Sequence, residues 1–128
     1  MLEGKVILIA DDDLTLLEMY EERLKAEGCI IVTAKDGEEA LEKVSESKPD
    51  LILLDIMMPK ISGFEVLENL KKDPETSTIP VIILTALGDG AKRNYGMELG
   101  AADYIVKAET LPIDVIEKIR RALANANA

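Results

Sequence analysis

Six side chains fall where they could do chemistry together: Asp11, Asp12, Asp13, Asp55, Thr85 and Lys107. Each follows a short apolar run. Val6-Ile7-Leu8-Ile9-Ala10 precedes the three aspartates, Leu51 to Leu54 precedes Asp55, Val81 to Leu84 precedes Thr85-Ala86, and Ala102 to Val106 precedes Lys107. Carboxylates brought together repel and raise one another's pKa unless a cation neutralises them. Mg²⁺ is a natural partner, because it takes oxygen ligands, keeps several waters, and is commonly held by one or two carboxylates plus phosphate oxygens. A lysine and a threonine nearby would supply one charged and one neutral donor to phosphoryl oxygens. That set suits phosphoryl transfer with an aspartate as nucleophile. Taken singly, most of these residues have an ordinary structural explanation: Asp13 can cap a helix, Lys107 can be a solvated charge, and Thr85 can form a turn. Asp55 is different, for Ile56-Met57-Met58-Pro59 follows it and offers no helix to cap. Their joint placement carries the signal.

The elements that must position them are legible as five apolar runs alternating with amphipathic stretches, the rhythm of βαβ units building a parallel sheet. Leu17, Tyr20 and Leu24 recur at helical spacing and Gly28 stops that helix. Cys29 to Ala34 reads as the second strand, and Asp36-Gly37 as a turn into a helix with Ala40, Leu41 and Val44 on one face. After the third strand, Pro59 and Gly63 mark a loop before a helix carrying Phe64, Val66, Leu67 and Leu70, which Asp73-Pro74 breaks. A fourth helix is expected over Gly88 to Leu99, weakened by Gly88, Gly90 and Gly96 and ended by Gly100. Pro112 opens a fifth, with Val115, Ile116, Ile119 and Leu123 as its apolar stripe, and Asn125 to Ala128 are expected to fray. In such a sheet ligands gather at the carboxyl ends of the strands, which is where the six side chains stand.

Composition narrows the function. The 128 residues are one domain's worth of chain. With 25 acidic against 15 basic residues, the net charge of −10 repels phosphate backbones and anionic lipid, so direct nucleic-acid and membrane partners are not expected. The absence of histidine removes imidazole as base or metal ligand, and the single Cys29 cannot form an internal disulfide. No apolar run approaches the roughly 20 residues of a membrane span, and the first residues lack signal-peptide character.

Ile7-Leu8-Ile9-Ala10-Asp11-Asp12, Leu53-Leu54-Asp55-Ile56-Met57-Met58-Pro59, Leu84-Thr85-Ala86 and Asp103-Tyr104-Ile105-Val106-Lys107 together resemble the receiver domain of two-component response regulators, in order and over nearly the whole chain. The resemblance implies an α/β, flavodoxin-like fold: a doubly wound five-stranded parallel sheet of order 2-1-3-4-5 with five helices, residues 1–128 forming a single receiver domain in the cytoplasm. It implies a phosphorylation-activated signalling switch rather than a conventional enzyme, one that catalyses its own phosphorylation and dephosphorylation. Asp55 would be the phosphoacceptor, taking its group from a sensor histidine kinase, a histidine phosphotransfer protein or a small phosphodonor. Asp12 would bind Mg²⁺ directly and Asp11 mainly through water, with Asp55 and the Met57 carbonyl completing the protein ligands. Lys107, the Thr85 hydroxyl and the Ala86 N–H would contact the phosphoryl group. Tyr104 stands at the family's switch aromatic, expected to turn inward when Thr85 shifts and to remodel the surface of the fourth helix, fifth strand and fifth helix that a downstream protein reads.

Three places depart from the family pattern. Lys107 is followed by Ala108 where a cis proline is frequent, and a non-proline cis bond costs roughly 2.5 to 4 kcal/mol, so a trans bond is expected. The loop after Pro59 reads Lys60-Ile61-Ser62-Gly63, without the aspartate that the family usually has before the glycine, and Met57 and Leu87 occupy the positions that in the family influence self-dephosphorylation. Leu14 and Met19, off the inward stripe of the first helix, are candidate kinase contacts. The rival from another class is a haloacid-dehalogenase-type phosphatase, since Asp11-Asp12-Asp13-Leu14-Thr15 fits a D-x-D-x-T signature with Asp11 as nucleophile and Asp13 as acid/base. A helix starting at once after that motif argues against it, and three aspartates argue against a flavin phosphate loop, which wants glycine, serine and free N–H groups.

Overall fold

The computed structural model describes residues 2–126. The five apolar runs pair in parallel as one sheet of order β2-β1-β3-β4-β5, made of β1 (Val6–Ala10), β2 (Ile30–Ala34), β3 (Leu51–Leu54), β4 (Val81–Thr85) and β5 (Asp103–Val106). Between and after them run α1 (Leu14–Ala26), α2 (Gly37–Ser47), α3 (Gly63–Lys72), α4 (Gly90–Glu98) and α5 (Pro112–Ala126), with one 3₁₀ turn, Lys107–Glu109, entering α5. The expected order and element count hold. The differences are local: β2 begins at Ile30, since the Cys29 N–H still donates to Leu24 O of α1; β4 runs through Thr85; β5 begins at Asp103; and α4 spans Gly90 to Glu98, because Asp89 caps it by accepting from the Lys92 N–H at 2.8 Å. Helix α5 runs through Ala126, so Asn125 and Ala126 of the expected frayed end are helical, while residues 127–128 lie outside the described residues.

Successive strand residues point to opposite faces, and this sorts the core into two layers. Ile7, Ile9, Leu51, Leu53, Ile82, Leu84 and Ile105 meet Leu17, Tyr20 and Leu24 of α1 and Val115, Ile119 and Leu123 of α5. Leu8, Ala10, Ile52, Leu54, Val81, Ile83 and Tyr104 meet Ala40 and Val44 of α2 and Val66, Leu67 and Leu70 of α3. Because β1, β3 and β4 are covered on both faces they read as unbroken apolar runs, and burying each such side chain contributes roughly 1.5 to 3 kcal/mol. The registers Ala10↔Leu54, Leu54↔Ile83 and Thr85↔Val106 align the strand ends, so the residues that follow them emerge on one rim. Met19 is not a free surface residue: it is half-buried and packs against the α1/α5 layer, whereas Leu14 is 62% exposed.

Candidate functional site

Strand pairing continues one residue past β1 and β3. The Asp11 N–H donates to Ala34 O at 3.0 Å and the Asp55 N–H to Ala10 O at 2.9 Å, so both carboxylates are mounted on sheet backbone rather than on free loops. Asp11 and Asp55 are buried and Asp12 is exposed; ligand oxygens of the three lie within 4.8 Å of one another. Together with Asp13, Met57 and Lys107 they line an open groove of about 710 Å³. A second cleft, between α2 and α3, is about 630 Å³ and lined by Leu41, Val44, Leu70 and Ile79 among others, without such a cluster. The chemistry is therefore at the acidic rim.

The carboxylates are bridged by one cation. Lys107 Nζ lies 2.8 Å from Asp11 Oδ2 and 3.4 Å from Asp55 Oδ2. The other oxygens accept backbone donors, Asp11 Oδ1 from the Asp13 N–H at 2.9 Å and Asp55 Oδ1 from the Met57 N–H at 3.3 Å. Burial pushes the Asp11 carboxyl above its ordinary pKa, and the hydrogen bonds from Lys107 and Asp13 only partly offset it. For Lys107 burial works the other way, but the hydrogen bond to Asp11 and the attraction of Asp55 and Asp11 outweigh it and hold its pKa above the usual lysine value. The ammonium stays charged.

Asp13 does what its position after β1 suggested. Its Oδ1 accepts from the Thr15 and Leu16 N–H groups at 3.1 and 3.2 Å as the N-cap of α1, which is a structural duty and not an acid/base one. Thr85 is fully buried at the end of β4, and its Oγ1 accepts from the Leu87 N–H at 3.3 Å. The Tyr104 hydroxyl donates to Leu87 O at 2.6 Å, so Thr85 and Tyr104 grip the same residue from its two backbone sides. Tyr104 is 2% exposed and already lies inward, where the sequence reading expected it to turn only after Thr85 shifts. No described peptide bond is cis, so the Lys107–Ala108 bond is trans as expected, and Ala86 is exposed. The Lys107–Asp11 pair, the 3₁₀ turn behind Lys107 and the role of Leu87 were not anticipated. The signal for the first was Lys107 following β5 on the same rim as Asp11 and Asp55, in a chain where only lysine and arginine supply side-chain cations.

A doubly wound sheet with an acidic, lysine-bridged carboxyl rim defines a class: α/β domains that take their ligand at the strand ends. Residues 7–120 match the family model of the response regulator receiver domain, and the chain belongs to that family. It is 46% identical over 121 residues to the probable transcriptional regulator ycf27 of Guillardia theta, covering 94% of this chain and 46% of that one. Against the phosphate regulon transcriptional regulatory protein PhoB of Pseudomonas aeruginosa it is 39% identical over 120 residues, 94% of this chain and 52% of the other. The chain spans about half the length of these curated relatives. Among solved structures, the CheY-like response regulator receiver domain protein of Methanospirillum hungatei superposes with a TM-score of 0.90 at 30% identity, covering 98% of each chain. The BeF3-activated N-terminal receiver domain of Klebsiella pneumoniae RstA gives 0.85 at 30% identity, covering 92% of this chain and 97% of the other. The protein is thus a receiver domain of the response regulators, which are phosphorylation-activated signalling proteins. The phosphatase alternative is not supported, since α1 starts at Leu14 and Asp13 is committed to capping it. Among the described residues no helix is long and apolar enough to cross a membrane.

Proposed function

We propose that Asp55 is the phosphoacceptor of this receiver and that residues 1–128 act as one receiver unit in the cytoplasm. The observation that carries the reading is the convergence of the Asp11, Asp12 and Asp55 oxygens within 4.8 Å around the Lys107 ammonium. An all-oxygen set that already seats one positive charge fits a hard divalent ion. Asp11, Asp12, Asp55 and the Met57 carbonyl would hold Mg²⁺, which when bound neutralises charge on the transferring phosphoryl group. An Asp55 carboxylate oxygen attacks phosphorus, the bond to the donor breaks, and its electron pair leaves with the donor: the imidazole nitrogen of a histidine kinase or phosphotransfer protein, or a small phosphodonor. Lys107, by exchanging Asp11 for the new phosphoryl oxygens, the Thr85 hydroxyl and the Ala86 N–H hold the product. The output is a change on the α4, β5 and α5 surface, read by a downstream protein. The exclusion of nucleic acid drawn from the charge does not extend to a longer protein carrying this chain, because the relatives are named transcriptional regulators and the chain spans about half of them. Leu14, exposed beside Asp13, is proposed as a kinase contact; Met19, half-buried, is withdrawn from that role.

Intact mass after incubation with acetyl phosphate and Mg²⁺ tests the assignment. One labile phosphoryl adduct is expected, present in the parent and absent in Asp55→Asn. An adduct that survives that substitution overturns it.

A further inference from the structure

Met57 follows the sheet-mounted Asp55 in a loop, residues 56–62, whose path neighbouring segments impose. At its far end the Gly63 N–H donates to Ile56 O at 2.8 Å. In its middle the chain bends round Lys60 at φ 71, and the Ile61 N–H donates to Pro59 O at 2.9 Å. This is a three-residue γ-turn at positive φ, a rare and strained form for a residue with a side chain. Such a conformation persists only where its surroundings over-determine it, and an observed outlier beside a reactive group is a reason to look for a functional cause.

The surroundings are the turn between β2 and α2. The Gly37 N–H donates to Pro59 O at 3.4 Å, and its Cα faces Ile61 so closely that an added Cβ would stand 2.1 Å from Ile61 O. Beside it Lys60 Nζ lies 3.7 Å from Asp36 Oδ2, while the other Asp36 oxygen accepts from the Glu39 N–H at 2.7 Å. None of the roles above uses residues 36, 37 or 60. We propose that Gly37, seconded by Asp36, is a positioning residue of the phosphorylation site: it buttresses the strained Pro59–Ile61 turn so that Met57 is held in register with the sheet-mounted Asp55 for the divalent cation. This rests on the cation site of the proposed function. The backbone interlock is the stronger component, because the Lys60 side chain is 57% exposed and its ion pair is screened by solvent. An alanine at 37 would drive the turn outward, since the clash is with backbone oxygen and cannot be relieved by a side-chain rotation.

The test is Mg²⁺ titration calorimetry on the full chain, with phosphorylation by acetyl phosphate followed across Mg²⁺ concentrations. Gly37→Ala is expected to weaken Mg²⁺ binding about tenfold, as loss of outer contacts at metal sites does. The phosphorylation rate at saturating Mg²⁺ is expected to stay within about threefold of the parent, because Asp55 keeps its sheet mounting and only the Met57 end of the cation site shifts. A loss of folded protein alone would lower the amplitude and leave the Mg²⁺ constant where it was. Should Gly37→Ala be too unstable, Gly37→Ala with Lys60→Gly is measured instead, for glycine lets the turn yield; it is expected to melt near the parent and still bind Mg²⁺ about tenfold more weakly. A folded variant that binds Mg²⁺ as the parent does overturns the proposal. A parent that itself binds no Mg²⁺ overturns the cation site and this role with it, and the two failures are told apart by which protein fails.

Discussion

The carboxyl rim of the sheet is built from two unlike halves. Asp11 and Asp55 stand on β1 and β3, where Ile7, Leu8, Ile9, Leu51, Ile52, Leu53 and Leu54 are all at most 1% exposed. Helix α3, on that side, buries Gly63, Val66, Leu67 and Leu70. Thr85 ends β4 and Lys107 follows β5, and the neighbouring α4 buries only Gly96 and leaves Tyr95 and Met97 more than two-fifths exposed. The difference teaches where each task can sit. The proposed acceptor and cation ligands need fixed geometry, which a doubly covered strand provides; the proposed switching surface needs two arrangements separated by a few kcal/mol, which a lightly anchored helix provides.

The largest expected effect tests that contrast directly. Leu53→Ala, at a side chain 1% exposed in the central strand, is expected to cost about 2 to 5 kcal/mol in denaturant unfolding. Met97→Ala on α4, at 43% exposure, is expected to stay within about 0.5 kcal/mol. Comparable losses at the two positions would break the comparison.

A second effect comes from the cost of keeping Asp11 charged on the rigid half. Its carboxyl is raised above the ordinary value by burial, so the folded protein binds that proton more tightly than the unfolded chain. The stability it contributes is fully present below the unfolded pKa and is lost as pH rises through the folded one. Asparagine at 11 carries no charge at any pH and can still accept from the Asp13 N–H. Asp11→Asn is therefore expected to melt above the parent at pH 7 in chelator, the gap closing as pH falls below the carboxylate range, while Mg²⁺ no longer raises its melting temperature. A variant that melts lower at pH 7 would show that the pairing with Lys107 outweighs burial.

The halves were not equally legible in the sequence. Strands β1, β3 and β4 are unbroken apolar runs, so Asp11, Asp55 and Thr85 could be placed from their last residues alone. Asp13 as a cap followed from its type and place. What could not be read were contacts made across the chain: Lys107 reaching Asp11, Tyr104 already turned onto Leu87 O, and Gly37 meeting Ile61. Periodicity reports which face a residue takes, not which rotamer it adopts or which loop comes to lie on it.

On the softer half, amide exchange is expected to be faster in α4 than in α3, because one buried residue anchors the first and four anchor the second. Beryllofluoride with Mg²⁺ is expected to change exchange most between Gly88 and Lys107, and Thr85→Ala to blunt that change while Asp55 still takes the group. Uniform protection along the chain would remove the basis for assigning the switch to this half.

The smallest effect separates two causes of α4's weakness that the sequence merged. Gly90 and Gly96 both lower intrinsic helix stability, by up to about 1 kcal/mol each relative to alanine. Around Gly90 an added Cβ meets nothing within 4 Å, so Gly90→Ala is expected to stabilise, by less than the interior value because it is the first helical residue. At Gly96 the same atom would stand 2.8 Å from Ile83 Cδ1 and 3.2 Å from the Tyr104 ring. Both neighbours are buried and the Tyr104 hydroxyl is fixed on Leu87 O, so room for the new atom has to come from repacking the Ile83 side chain within the core. Overpacking in such a place costs about 1 to 3 kcal/mol, enough to cancel or reverse the propensity gain. Gly96→Ala is thus expected to melt at or below the parent and to change the exchange of Tyr104 and Leu87, while Gly90→Ala melts slightly above it with those amides unchanged. If both substitutions stabilise alike, α4 is weak by propensity alone, and Gly96 is not what lets the helix close over Tyr104.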